Sequence, residues 1–282
     1  MLRGRLRTIE IACLAFCVLG CRGAHGIQIT SDSFDSKGVK VAYTVRGKGE
    51  PVILIHGWLA SGWLNWDFPG ITDLLAKDYQ VITIDMPGHG LSDKPTKDEA
   101  YGPELVEDVV RLMDHLKIKK AHIVGYSMGG IIAANLMAKH QDRVLSGTLG
   151  GMGWLREGGA AQKVFTAGGR DRKPVGVCFH SLAKLALTEK EIRSIHVPVI
   201  ILIGDHDDLK KLYVEPLKPV RKDWPVVEIK DANHLTCVGQ RQFKEELQKW
   251  LAKQAHKRSR KFSGIIQRGT SQKDRDKPLD HR

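Results

Sequence analysis

Residues 121–130 read Ala-His-Ile-Val-Gly-Tyr-Ser-Met-Gly-Gly, a short apolar run followed by a glycine-rich corner. The apolar run is typical of a buried strand, and residues 131–140 have the pattern of a helix. The corner contains G-x-S-x-G, which places the hydroxyl of Ser127 at the start of that helix. Free backbone N–H groups and the helix dipole favour a negative charge at such a position, so Ser127 is the candidate nucleophile.

Small residues are required on both sides of this corner. A strand that turns directly into a helix strains the corner residue, and larger side chains two positions away would collide with neighbouring elements. Gly125 and Gly129 meet this requirement. The pattern is short and also occurs by chance, so the assignment of Ser127 depends on the surrounding and downstream sequence.

Short aliphatic runs alternate with helical patterns along most of the chain. The predicted strands follow a hairpin within residues 27–47 and lie at residues 51–57, 79–85, 121–126, 144–150, 197–204 and 224–229. The predicted helices lie at residues 68–77, 103–116, 131–140 and 243–255. This alternation predicts an α/β fold, with a mostly parallel twisted sheet of about eight strands and helices on both faces.

Residues 152–196 interrupt the alternation. Their clearest element is a helix that begins near Thr188, where Thr188 and Glu191 form a capping-box pattern. We expect a short cap insertion above the sheet, where substrate enters. Three aromatic residues are candidates to line that entrance, although packing beneath the cap is the more ordinary role for any single one. These candidates are Trp154, Phe165 and Phe179.

The net charge of +12 is concentrated at the two ends of the chain. Residues 253–282 carry ten Lys or Arg against three Asp, and three arginines lie within the first seven residues. The region between the ends is close to neutral, which argues against a basic nucleic-acid-binding face. No nucleic acid is expected as a partner, and the tail at residues 253–282 is expected to be disordered, with attraction to anionic lipid as a weaker alternative.

The first residues have the features of a targeting segment. Arginines precede an apolar stretch at residues 11–20, which is short for a membrane-spanning helix, so residues 1–20 are expected to be a signal peptide. The stretch ends in Val18-Leu19-Gly20-Cys21, similar to the cleavage motif of bacterial lipoproteins. We expect residues 21–26 to be a lipidated N-terminus and linker, and the protein to be an exported, membrane-anchored lipoprotein facing the periplasm or cell exterior. Secretion as a soluble protein is the alternative.

Cys178 and Cys237 are the cysteines that follow this segment. Cysteines of exported proteins can form disulfides, but spacing alone does not show that these two meet. Two independent thiols are the simpler expectation.

A serine hydroxyl becomes a nucleophile when a base removes its proton and a third group orients that base. Candidates for both roles follow predicted strands. Gly204-Asp205-His206-Asp207-Asp208 comes after one strand, and Asp231-Ala232-Asn233-His234 comes after the next. Sites of open α/β sheets lie at the carboxyl ends of the strands, so these side chains are expected to converge on Ser127.

These segments together resemble the α/β-hydrolase fold family. The landmarks occur in the family's order, at His56-Gly57-Trp58, residues 85–92, residues 125–129, residues 204–207 and Asn233-His234. The resemblance covers a domain at residues 27–252. It implies Ser127 as nucleophile, Asp207 as acid and His234 as base. It also implies an oxyanion hole formed by the backbone N–H groups of Trp58 and Met128.

The acid has two rivals beside it in the sequence. Asp205 and Asp208 flank Asp207 on the same segment. We favour Asp207 because the family's acid lies three residues beyond the glycine that closes the strand.

Several histidines compete for the role of base. His206 and His122 are the alternatives, but His122 lies inside a predicted strand. His56 precedes the oxyanion loop and is expected to brace it by hydrogen bonding. His89 and Asp85 are expected to hold the turn beside the site.

The resemblance implies hydrolysis of a small ester or related carbonyl substrate through an acyl-enzyme on Ser127. Serine at this corner argues against the dehalogenases and epoxide hydrolases of the fold, which carry aspartate there. Carbon–carbon bond hydrolases and lactonases share the fold and the triad, and the short cap slightly favours small acyl groups over the long ones of lipases. A non-catalytic ligand-binding protein is the alternative from another class. No metal or cofactor is expected.

Overall fold

The computed structural model describes residues 29–168 and 173–255. The expected signal peptide, Cys21 and the basic tail beyond residue 255 lie outside the described residues. Among the helices in these two ranges, none is both long enough and apolar enough to span a bilayer.

A single sheet forms the centre of the described structure. Its strands are β1 (Ile29–Ser36), β2 (Val39–Arg46), β3 (Glu50–Ile55), β4 (Tyr79–Ile84), β5 (Ala121–Tyr126), β6 (Val144–Gly150), β7 (Val199–Gly204) and β8 (Val226–Ile229). The spatial order of these eight strands is β1-β2-β4-β3-β5-β6-β7-β8. β2 pairs antiparallel with β1 and β4, and every other neighbouring pair is parallel. The predicted fold class is therefore confirmed.

Helices cover both faces of this sheet. They are α1 (Ile71–Leu75), α2 (Pro103–His115), α3 (Met128–Lys139), α4 (Ala160–Ala167), α5 (Pro174–Ser181), α6 (Glu189–Arg193), α7 (Lys210–Tyr213) and α8 at residues 241–255. The first helix starts later than predicted because Gly70, its N-cap residue, has a left-handed φ of 78°. Trp63–Asp67 forms a separate π-helical turn before it. α3 begins earlier than predicted, directly after Ser127.

The two faces of the sheet bury separate apolar clusters. Successive side chains of a strand point to opposite faces, and in β3 Ile53 and Ile55 pack with α2 and α3 on one side. Val52 and Leu54 pack on the other side, in the cluster that contains residues of α1 and α8. Burial on both faces explains why β3 reads as a continuous aliphatic run.

The cap at residues 152–196 contains more helix than its sequence pattern indicates. The predicted capping box of α6 is present, with Thr188 N donating to Glu191 Oε2 at 2.8 Å and Glu191 N donating to Thr188 Oγ1 at 3.2 Å. α4 and α5 were not predicted. α4 buries little beyond Ala161 and Phe165, which is too few apolar positions to produce a helical stripe.

Candidate active site

The corner at Ser127 has the geometry that its flanking glycines require. Ser127 has a φ of 53° and a ψ of −114°, a conformation that costs about 1–3 kcal/mol in a non-glycine residue. A Cβ atom on Gly125 would overlap the carbonyl oxygen of Gly129, and one on Gly129 would overlap that of Ile55 in β3. The predicted strain and the need for small residues are both confirmed.

Three side chains from three separate strand ends meet at this corner. His234 Nε2 lies 2.9 Å from Ser127 Oγ, and His234 Nδ1 lies 2.8 Å from Asp207 Oδ2. The Asp207 side chain is fully buried, and its other oxygen accepts a hydrogen bond from Leu209 N at 3.0 Å. Because Nδ1 faces a carboxylate, it carries the imidazole proton and leaves Nε2 free to accept the proton of Ser127.

The two aspartates beside Asp207 in the sequence lie in different environments. Asp205 accepts hydrogen bonds from Ala232 N and Asp231 N, each at 3.1 Å, and so holds the loop that carries His234. These bonds lower the pKa of the Asp205 carboxyl, and the bond from Ala232 N has the larger effect. Asp208 is exposed. The arrangement therefore favours Asp207 as the acid partner of His234.

The rival histidines occupy other environments. His206 is exposed, with Nδ1 3.5 Å from Asp205 Oδ1. His122 is fully buried inside β5, with Nδ1 2.6 Å from Ser146 Oγ.

His56 connects two loops beside the corner. Its Nδ1 lies 2.7 Å from Gly57 O, and Met86 N donates to its Nε2 at 3.0 Å. The imidazole is fully buried and must be neutral to accept that bond. Burial lowers the pKa of His56 to about 4, with the nearby His89 acting in the same direction. Asp85 holds the adjacent turn by accepting hydrogen bonds from Gly62 N and Leu91 N.

Stability is expected to fall on acidification because of His56. Its pKa drops from 6.5 in the unfolded chain to about 4 in the folded one, so below pH 6.5 protons bind preferentially to the unfolded state. Well above pH 6.5, His56 makes stability no more dependent on pH. Acidification from pH 7 to pH 5 lowers the free energy of unfolding by about 2 kcal/mol through this group. Urea unfolding at both pH values measures the fall. His56→Asn should make it shallower, and an unchanged slope in this variant would contradict the assignment.

The predicted oxyanion loop lies against the nucleophile. A Cβ atom built on Gly57 would sit 3.3 Å from Ser127 Cβ, and Gly57 N donates to Asn65 Oδ1 at 2.7 Å. Within residues 29–168 and 173–255, the backbone N–H groups of Trp58 and Met128 donate to no protein atom. No described residue occupies either donor, an arrangement compatible with the predicted role of the two N–H groups in holding an oxyanion.

The Trp58 side chain joins this loop to the cap. Its Nε1 donates to Val175 O at 2.9 Å, and its ring centroid lies 4.8 Å from that of Phe179. Phe179 in turn packs on Phe165, with centroids 4.8 Å apart. Trp154 is buried, and its Nε1 donates to Leu187 O at 2.7 Å.

The three cap aromatics do not reach the cavity at the nucleophile. Trp154, Phe165 and Phe179 are not in the wall of the cavity beside Ser127, which is formed by residues 57–60, 64–65, 68–69, 126–127, 234–236 and 238–239. Their contacts given above are with other cap residues and with Trp58, so the structure does not support the predicted role in lining a substrate entrance.

Tyr126 is a positioning residue that sequence reasoning missed. Its hydroxyl donates to the backbone carbonyl of His234 at 2.5 Å, and its ring centroid lies 5.6 Å from the imidazole. Burial is the main cause that raises the pKa of this phenol. The position is unspecified in G-x-S-x-G, and the one signal in the sequence was a tyrosine at the end of a predicted buried strand.

Tyr126→Phe is expected to weaken the placement of His234. The variant leaves the His234 carbonyl without its donor, which should lower the free energy of unfolding by about 1–2 kcal/mol. Because a small displacement of a catalytic group is costly, kcat for a reaction that uses Ser127 as the nucleophile should fall by about 10-fold. Steady-state kinetics and thermal unfolding measure the two effects. Tyr43→Phe, which removes a hydroxyl that is remote from Ser127 along the sheet, is the control for loss of a phenol.

The two described cysteines are buried free thiols. Burial raises the pKa of Cys178 and of Cys237 to about 12. The expectation of two independent thiols is confirmed.

Comparisons with known proteins agree with this fold. Residues 50–162 match the family model described as alpha/beta hydrolase fold. Over 117 residues the chain is 38% identical to a 2-hydroxy-6-oxo-6-phenylhexa-2,4-dienoate hydrolase of Comamonas testosteroni, covering 41% of each chain. Over 114 residues it is 42% identical to the dihydrolipoyllysine-residue acetyltransferase component of the acetoin cleaving system of Cupriavidus necator, covering 40% of this chain and 29% of that protein. The matches therefore span less than half the length of these curated relatives.

Solved structures match over a larger share of the chain. A structure from a study of carboxylesterases of Nitrososphaera gargenis has a TM-score of 0.66 at 19% identity and covers 81% of this chain and 100% of that one. A bromoperoxidase from Bacillus anthracis has a TM-score of 0.65 at 21% identity and covers 80% and 100%. At these identities the likeness concerns the fold alone.

The strand order, the strained serine corner and the solved structures that match about four fifths of the chain together show the fold of this protein. It has the α/β-hydrolase fold. Residues 50–162, from β3 through the corner and into the cap, are the part that matches the family model.

Proposed function

We propose that the protein is a serine hydrolase that cleaves a neutral ester through an acyl-enzyme on Ser127. The observation that carries this proposal is the continuous hydrogen-bonded series from Asp207 through His234 to Ser127, with spacings of 2.8 and 2.9 Å. Nucleophile, base and orienting acid at these distances are the arrangement required for acyl transfer.

Each step of the reaction can be assigned to a group at the corner. His234 Nε2 takes the proton of Ser127 as Oγ attacks the ester carbonyl carbon, and the N–H groups of Trp58 and Met128 stabilise the oxyanion. The C–O bond to the alcohol then breaks, and His234 returns the proton to the departing alcohol. Water attacks the acyl-enzyme with His234 again as base, which releases the carboxylic acid and restores Ser127.

Carbon–carbon bond hydrolysis is the second candidate, because a matched relative is named as a 2-hydroxy-6-oxo-6-phenylhexa-2,4-dienoate hydrolase. A dienoate carries a carboxylate, which needs a cationic or strongly donating partner when it leaves water. The described residues that wall the cavity beside Ser127 include no Lys or Arg. This composition favours an uncharged ester over a dienoate.

The two candidates are separated by a direct comparison of substrates. The purified full chain is expected to hydrolyse p-nitrophenyl butyrate and to leave a 2-hydroxy-6-oxo-6-phenylhexa-2,4-dienoate unchanged. A kcat/KM for the dienoate that exceeds that for every ester tested would replace the ester proposal with the carbon–carbon one. A folded wild-type protein that turns over neither substrate would support a non-catalytic ligand-binding role.

We further propose that Cys21 is lipidated after removal of residues 1–20 and anchors an exported protein to a membrane. The support is the sequence Val18-Leu19-Gly20-Cys21 behind an apolar stretch. Metabolic labelling with a fatty-acid analogue in a bacterial host is expected to label the wild type and not Cys21→Ala. An unlabelled wild-type protein in the medium would establish soluble secretion instead.

A further inference from the structure

The cavity at Ser127 is larger than a short ester requires. It has a volume of about 770 Å³ and extends from Ser127 and His234 between two groups of residues, at 57–60, 64–65 and 68–69 on one side and at 235–236 and 238–239 on the other. Ligand cavities generally have volumes of about 300–1,000 Å³, so this one accommodates a molecule far larger than an acetyl ester.

Apolar side chains that remain exposed are concentrated along this cavity. Nine large apolar residues of the described chain are exposed, and four of them belong to the cavity wall. These four are Leu59 at 60%, Leu64 at 46%, Phe68 at 71% and Leu235 at 86% exposure. A fifth, Trp63, extends the apolar surface by packing on Phe68, with ring centroids 5.4 Å apart.

Such a surface is the binding site expected for an apolar group. Apolar surface left in water forgoes the free energy of burial, and contiguous exposed apolar patches on soluble domains mark sites of binding. The cavity begins at the nucleophile itself. A chain attached to an ester group at Ser127 would therefore lie along these side chains. For this reason we take the substrate itself as the occupant of the cavity.

The described part of the wall also limits the charge of that chain. It contains no Asp, Glu, Lys or Arg, and its polar side chains beyond the corner are Asn65 and Thr236. Asn65 Oδ1 already accepts from Gly57 N, and Thr236 Oγ1 already pairs with Asn233. A charged chain would lose its hydration without a partner, whereas an aliphatic chain would not.

None of the described cap residues, at 152–168 and 173–196, lines this groove. The sequence-based preference for small acyl groups came from the short cap, but the described cap residues are absent from the cavity wall. The groove is instead formed by the loop after β3, the π-helical turn and the loop that carries His234.

We propose that the groove formed by Leu59, Leu64, Phe68 and Leu235, hereafter the leucine groove, binds an aliphatic chain of the ester. This inference rests on the proposed esterase function and narrows its substrate class to neutral esters with a medium-length aliphatic chain. Leu64 and Phe68 are specificity-determining residues, because they lie along the chain and apart from the reacting atoms.

Chain length is the first test. Two series are used below the concentrations at which they aggregate, one with p-nitrophenyl acetate, butyrate and octanoate and one with ethyl, butyl and octyl acetate. Burial of a methylene is expected to raise kcat/KM by about 2- to 3-fold each, so octanoate should exceed butyrate by more than about 10-fold if the acyl chain occupies the groove. A rise in the alkyl acetate series alone would place the alcohol chain there. Flat profiles in both series would overturn the proposal.

Variants test which residues carry the effect. Phe68→Ser and Leu64→Ser are each expected to lower one ratio by about 5- to 10-fold, that of kcat/KM for p-nitrophenyl octanoate to kcat/KM for p-nitrophenyl acetate. Leu91→Ser is the matched control, because Leu91 is 80% exposed and lies outside the cavity wall, and it should leave the ratio unchanged. The assignment would be contradicted if the groove variants lowered kcat/KM equally for both esters. It would also be contradicted if Leu91→Ser lowered the ratio as much as they do.

A binding measurement keeps the inference independent of turnover. Ser127→Ala is titrated with methyl octanoate and methyl acetate, and binding is followed by the fluorescence of Trp58 and Trp63 beside the groove. Saturable binding of methyl octanoate is expected, with no saturable binding of methyl acetate. Phe68→Ser should weaken the binding of methyl octanoate. Absence of such binding would refute the leucine groove. Binding by the variant with no ester turnover by the wild type would refute the proposed hydrolysis and leave the groove standing.

Discussion

Ser127→Ala is expected to lower kcat/KM for p-nitrophenyl butyrate by about 10⁴-fold or more, because no other hydroxyl replaces the nucleophile that His234 activates. The residual rate would come from the oxyanion donors and substrate binding alone. Folding should be preserved, since alanine accepts the φ of 53° at this corner about as well as serine does. Initial rates with purified protein, paired with thermal unfolding curves, provide the measurement.

Ser31→Ala is the matched control for this substitution. Ser31 is exposed on β1, at the far edge of the sheet from β5, and its removal should leave the rate unchanged. If Ser127→Ala retained more than about a tenth of wild-type activity in a folded protein, Ser127 would not be the nucleophile.

Asp207→Asn is expected to lower kcat by about 10³- to 10⁴-fold while changing the fold little. The carboxylate of Asp207 fixes the proton on His234 Nδ1, at 2.8 Å, and stabilises the imidazolium that forms during attack. An asparagine amide removes that charge and can donate to Nδ1, which shifts the proton to Nε2 and prevents it from accepting the proton of Ser127.

Asp208→Asn is the control for the acid assignment, because Asp208 is the next residue and is exposed. It should retain nearly full activity. Asp205→Asn should lower activity by an intermediate amount. Its amide would bind the Ala232 N–H less strongly than the carboxylate does, and Ala232 lies in the loop that carries His234. Comparable losses in Asp208→Asn and Asp207→Asn would show that the acid had been assigned to the wrong residue.

Much of the fold could be predicted because its strands are short aliphatic runs buried on both faces. β5 and β6 begin and end at the predicted residues, and β3, β4, β7 and β8 differ by at most two residues at either end. Prediction failed where helices bury few apolar side chains. α4 and α5 in the cap were missed for this reason, and the segment before Gly70 forms a π-helical turn that has no distinctive periodicity.

The site was predictable to the extent that it follows from strand order. Ser127, Asp207 and His234 each follow a strand of one sheet, so their convergence at its carboxyl edge follows from parallel pairing. Tyr126 was missed because a positioning hydrogen bond to a backbone carbonyl has no sequence pattern. The leucine groove was missed because its side chains come from two loops and a π-helical turn, none of which has a distinctive periodicity, and only the folded chain brings them together.

The most direct test of the account is covalent modification of the nucleophile. The folded full chain is incubated with a fluorophosphonate, and intact mass with peptide mapping gives the stoichiometry and position of the adduct. We expect one adduct per chain on Ser127, abolished in Ser127→Ala and strongly slowed in His234→Ala. A folded wild-type protein that forms no adduct, or forms it on another residue, would contradict the claim that His234 activates Ser127.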